Sequence, residues 1–189
     1  MPIILRRADP RWLVVFLANL LLWSLLGTAN HHLSRFSLPG LDYCSFHLYV
    51  GGLFVVYPAL RLSSKHGWIA IALTGLTMDA LEPVPFGTNM ILLGLVYATL
   101  LYGRRRFPRE GSVFGIVVAI FANLFLIICL SFMLIGASPR PAEAWIRVFG
   151  DLIASQLTIL LITPWFLALQ DRSMELFGIH PITGRRSTY

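Results

Sequence analysis

The side chains in this sequence that could do chemistry are few, and they lie among long apolar runs. Two carboxylates sharing a proton are the machinery of an aspartyl protease. Only Asp79 and Asp151 could form such a pair near membrane depth, and neither stands in a glycine-rich setting, so no catalytic residue is expected. His31, His32 and His47 are the residue type of a metal ligand, but no acid or cysteine lies at ligand spacing around them, so no metal site is expected. A glycine-rich phosphate loop, a nucleophile elbow and an HExxH pair are all missing, and no cofactor is expected. Cys44 and Cys129 form no CxxC pair and read as free thiols packed in apolar surroundings, with a disulfide between them as the alternative.

Of the acids, Asp79 is the most informative. It belongs to the stretch 67–106, in which two apolar runs flank a polar turn holding Glu82, Pro83, Pro85, Phe86 and Gly87. This is a helical hairpin. Pro83 ends the first helix near Glu82, so Asp79 falls in its last turn, where the macrodipole disfavours an anion. One resolution puts Asp79 under the Pro85-Phe86-Gly87 turn, accepting backbone N–H bonds from the start of the next helix at Thr88 to Met90; the other leaves it a solvated loop acid. Thr88 or Asn89 is the expected side-chain cap of that helix. Glu82 reads as an interfacial acid. Asp151 follows Arg147 by four residues on one helix, the spacing of an ion pair.

The elements that position these residues must be membrane helices. With 57% hydrophobic and 13% charged residues and a mean hydropathy of +0.73, a chain of 189 residues is an integral membrane protein rather than a soluble domain. The expected fold class is all-α: a polytopic membrane protein, six transmembrane helices in a compact bundle, one domain over 1–189. Residues 1–11 form a basic leader, 12–169 the bundle and 170–189 a polar tail. The spans are 12–33, 41–62, the two arms of the hairpin, Ser112–Ile135 and 148–169 broken at Pro164. Gly51-Gly52 would sit in the middle of the second span and Pro58 near its basic end. Gly27-Thr28-Ala29 resembles a signal-peptidase site, but an uncleaved first helix is the simpler reading. The connection 137–147 carries Pro139 and Pro141, and 142–147 could form a short interfacial helix anchored by Trp145.

The net charge of +6 does not point to nucleic acid, because the basic residues fall in short clusters between apolar runs. Their arrangement is that of a membrane protein in contact with the lipid bilayer. On the six-span scheme, twelve of the fifteen Lys and Arg lie on one side and only Arg35, Arg140 and Arg147 on the other. The positive-inside rule then makes both termini cytoplasmic and turns the tip of the hairpin outward.

From the second span through the hairpin the sequence FVVYPALRLSSKHGWIAIALTGLTMDALEPVPFGTNMILLGLVYATLLYGRRR resembles MreD, the membrane subunit of the bacterial rod-shape machinery. The family's central signature is a Gly, an Asp a few residues on, a turn ending in Pro, an aromatic or Leu, and Gly, then an apolar helix and a basic stop. Gly75, Asp79, Pro85-Phe86-Gly87 and Arg104-Arg105-Arg106 stand at those places. The resemblance implies a non-enzymatic scaffold of the bacterial inner membrane that binds MreC and works beside a RodA-type synthase and a class B penicillin-binding protein. It makes Gly75, Asp79, Pro85, Phe86 and Gly87 the structural or partner-binding candidates, to which the residues themselves add Arg147 and Asp151. It also implies a fold similar to the S-components of energy-coupling-factor transporters, so a solute-binding subunit is the second reading. The small residues four apart that would dock an ATPase module on the first helix are not present, since Ala18 is followed by Leu22. The turn also departs from the family in having Glu82-Pro83 where small residues are commoner.

Overall fold

A helix that is apolar all round can bury one stripe against protein and leave the opposite stripe to lipid. The first helix does this: Val14, Val15, Ala18, Leu22 and Leu26 are buried, while Leu13, Leu17, Leu21 and Leu25 face outward at four-residue spacing. The computed structural model describes residues 10–33, 47–82, 84–104, 112–135 and 141–178, and among them it is all-helical. The six helices are α1 Arg11–Leu33, α2 Gly51–Arg61, α3 Ser64–Leu81, α4 Thr88–Gly103, α5 Ser112–Ile135 and α6 Pro141–Leu176. Three of them, over Arg11–Leu33, Val113–Met133 and Ala144–Leu176, are long and apolar enough to cross a membrane. Most of the leader, Cys44, Pro83, Pro139 and the tail from 179 onward lie outside the described residues.

The bundle is built around its shortest helix. Every residue of α2 from Gly51 to Ala59 is buried, and α2 packs on all five of the others. α3 and α4 form the hairpin, α1 lies against α3, and α5 and α6 close the other side of α2. Gly52 sets how closely α2 meets α5, because a Cβ there would land on the backbone of Asn123 and lie 2.7 Å from the Ala119 carbonyl oxygen. A polar layer ties the helices together within the core. Asn19 of α1 donates to Thr74 Oγ1 of α3 at 3.2 Å and accepts from Gln170 Nε2 of α6 at 3.1 Å.

Two spans differ from the sequence-based expectation. The second helix begins at Gly51 rather than at 41, so Gly51-Gly52 opens it instead of sitting at its middle. Ahead of it, residues 47–50 run without helix, and side chains of other helices satisfy their backbone. The sixth helix is one rod of 36 residues. Residues 142–147 are its first turns rather than a separate interfacial helix, and it runs through Pro164 unbroken. Proline withholds one N–H from the helix, a cost that neighbouring helices can absorb. Gln170, expected in a solvated tail, is fully buried in the core, and the helix continues to Leu176.

The bundle has two chemically distinct ends. At one, Arg104 Nη1 donates to the Leu62 carbonyl at 2.7 Å, Tyr57 Oη donates to Asp171 at 3.0 Å, and Arg61 stands 4.0 Å from Asp171. Arg11, Lys65 and Arg172 belong to the same end, which therefore holds five of the six Lys and Arg among the described residues. Arg147 is the sixth. The opposite end gathers Asp79, Glu82, Asp151 and His47.

Candidate functional site

At the acidic end the hairpin closes on a single carboxylate. α3 stops at Leu81 and α4 starts after Gly87, whose φ of +95° is in the left-handed region that only glycine enters freely. That turn swings the first N–H groups of α4 back over the last turn of α3. Asp79, only 5% exposed, accepts them: Gly87 N–H at 3.0 Å, Asn89 N–H at 2.8 Å and Met90 N–H at 3.2 Å. The orphan donors of one helix thus hold the acid that the dipole of the other repels. The donors are Gly87, Asn89 and Met90 rather than Thr88, whose N–H goes to the Pro85 carbonyl at 3.1 Å. Neither Thr88 nor Asn89 caps α4 with its side chain.

Gly75, one turn before Asp79, lets the two helices come this close. A Cβ on it would lie 2.5 Å from Met90 Cα and 2.8 Å from Met90 N. Pro85 and Phe86 form the tip, and the Phe86 side chain stands 75% exposed above the pinned backbone.

Glu82 is more than an interfacial acid. Its Oε2 accepts from Asn89 Nδ2 at 2.7 Å, and Asn89 Oδ1 lies 3.5 Å from the Tyr49 hydroxyl. Burial raises the Glu82 carboxyl above its ordinary value; the Asn89 bond opposes the rise, and the Asp79 charge adds to it.

Asp151 has a different partner from the one expected. It makes no ion pair with Arg147; its Oδ1 accepts the His47 backbone N–H at 2.7 Å. This is one bond of a set that holds the extended lead-in to α2. Asn30 of α1 takes both backbone groups of Leu48, Ser155 of α6 accepts the Tyr49 N–H at 2.9 Å, and Asn123 of α5 donates to the Tyr49 carbonyl at 3.0 Å. Asn123 also accepts the Gly52 N–H at 3.2 Å. Backbone that leaves the helix inside a membrane bundle survives only where protein satisfies it. Sequence reasoning missed Asn30, Asn123 and Ser155. Asn123 alone carried a signal, as an isolated polar residue within an apolar helix, whereas Asn30 and Ser155 each have polar neighbours in sequence.

Between this lead-in, Glu82, Val84 and the facing sides of α5 and α6 lies a cavity of about 270 Å³. His47, Tyr49, Asp151, Ser155 and Ser131 supply its polar atoms, against an apolar wall that includes Ile127, Leu130 and Val148. The structure therefore brings Asp151 and Glu82 to one cavity and leaves Asp79 beneath the turn, each acid serving a different segment. Among the described residues, no three of His, Cys, Asp and Glu converge as a metal site would need. Comparison of the chain with protein-family models, with curated proteins and with solved structures found no match.

Proposed function

We propose that this protein is a non-catalytic membrane scaffold of the bacterial cell-elongation machinery, of the MreD type, which binds MreC at its hairpin end. The observation that carries the reading is the tip of the hairpin: Asp79 fixes it from below through three backbone bonds, and Phe86 projects from it 75% exposed. An aromatic side chain on a preorganised turn loses little entropy when a partner covers it. The acids support the same reading, since Asp79 and Asp151 both accept backbone N–H bonds that hold the fold together.

In this reading the chain crosses the bacterial inner membrane six times with both termini in the cytoplasm. The short α2 is compatible with that topology. Its 11 residues rise about 16 Å and the four extended residues before it about 13 Å, together close to the roughly 30 Å of a bilayer core. The gathering of Arg11, Arg61, Lys65, Arg104 and Arg172 at one end supports a cytoplasmic face there.

The cavity favours a second reading, a solute-binding subunit of an energy-coupling-factor transporter. About 270 Å³ with a few polar groups on an apolar wall suits a small organic molecule. One experiment separates the two. In a rod-shaped host depleted of the protein, complementation by Phe86→Ser is expected to leave cells rounded and MreC absent from the affinity-purified complex. Normal shape and normal MreC recovery with the Phe86→Ser variant, with vitamin uptake lost on depletion, would install the transporter reading instead.

A further inference from the structure

α4 and α5 touch only sparingly, and the groove between them, about 470 Å³, is larger than the cavity at the acidic end. Val96 and Leu100 line it from α4, and Val117, Phe121 and Phe125 from α5. It ends at Arg104, whose guanidinium is held at the mouth by its 2.7 Å bond to the Leu62 carbonyl. Val117, Phe121 and Phe125 are all substantially exposed, so the groove opens sideways, toward where lipid would lie.

We propose that this groove binds one anionic phospholipid, with an acyl chain along Val96, Val117 and Phe121 and the phosphate at Arg104. Size argues against a protein helix as the occupant. A helix about 10 Å across fills about 420 Å³ in a single turn, so the groove would admit one turn, whereas a flexible acyl chain can thread its whole length. Charge selects the headgroup. The apolar slot ends on a cation at the basic end of the bundle, and in sequence Arg105 and Arg106 follow directly. Basic pockets between membrane helices recognise anionic headgroups in this way.

The test is native mass spectrometry of the full chain after detergent exchange, titrated with phosphatidylglycerol and with phosphatidylcholine of the same acyl composition. The wild type is expected to retain one phosphatidylglycerol with about fivefold preference over phosphatidylcholine, the selectivity that one interfacial cation confers. Arg104→Gln should abolish the preference while leaving weak binding of both lipids, and Arg104→Lys should restore it. Val117→Trp, which fills the groove from its open side without entering the core, should reduce binding of both. Equal retention of the two lipids by the wild type, or a preference unchanged in Arg104→Gln, would overturn the proposal. A photo-crosslinker at Phe121 that captured a protein helix or a second copy of this chain in native membranes, rather than lipid, would overturn it as well.

Discussion

The Asp79 carboxylate accepts the Asn89 backbone N–H at 2.8 Å, so an acid in the last turn of α3 is the cap of α4. One side chain thereby satisfies donors at the start of one helix and fixes the angle at which the chain leaves the other. Asp79→Asn keeps the shape and part of the acceptor capacity, and a loss of about 1 kcal/mol is expected. Asp79→Leu strands three N–H groups and should cost a few kcal/mol. Thermal unfolding in detergent, with Glu82→Leu alongside, measures the difference; equal effects at the two positions would reduce Asp79 to an ordinary loop acid.

Gly75→Ala is expected to destabilise the protein by about 1–3 kcal/mol, although alanine is the better helix former by about 1 kcal/mol. The added methyl meets backbone atoms of Met90, which cannot swing aside as a long side chain could. Moving α4 away would also lengthen the Met90 bond to Asp79. An unchanged unfolding temperature would show that the hairpin tolerates a looser contact than this geometry describes.

Asn123→Leu removes the donor to the Tyr49 carbonyl and the acceptor of the Gly52 N–H, and a loss of about 2–4 kcal/mol is expected from two buried groups left unpaired. Ile128→Ala, on the outward face of the same helix, should change stability by no more than about 0.5 kcal/mol. Chemical denaturation of the two variants in the same detergent gives the contrast directly.

The pH dependence has a definite sign. Because the folded state raises the Glu82 carboxyl above 4.5, folding binds that proton more tightly than the unfolded chain does. Stability from this group is therefore fullest below 4.5 and falls as pH climbs through the raised value. Glu82→Gln should remove this decline, so its unfolding temperature should fall less than that of the wild type between about pH 4 and 7. A Glu82→Gln variant as pH-sensitive as the wild type would place the titration elsewhere.

Much of the hairpin was legible because local rules conflict there. An acid at a helix C-terminus before a proline calls for a compensating donor, and the left-handed glycine at 87 shows where the chain turns to supply one. The first and fifth helices could be read from the length of their apolar runs. The start of α2 could not, because His47 to Val50 differ little in composition from a buried helix. What holds them extended is two amides, an acid and a hydroxyl up to 106 residues away in sequence, and periodicity carries no information about such partners. The cavity was hidden for the same reason, since its wall joins α5 and α6 to a segment that local pattern assigns to a helix. The end of α6 was misread through Gln170, a polar residue that belongs to the core because Asn19 meets it there.

The unbroken sixth helix also acts as a gauge. Asp151 anchors it at one end of the bundle and Asp171 at the other, twenty residues or about 30 Å apart, which is the thickness of a typical hydrocarbon core. A rod tied at both ends cannot shorten by unwinding at Pro164 without breaking one of those ties. The protein is thereby tuned to one bilayer depth, and in vesicles of graded acyl length its unfolding temperature should peak where the lipid matches that span and fall on either side.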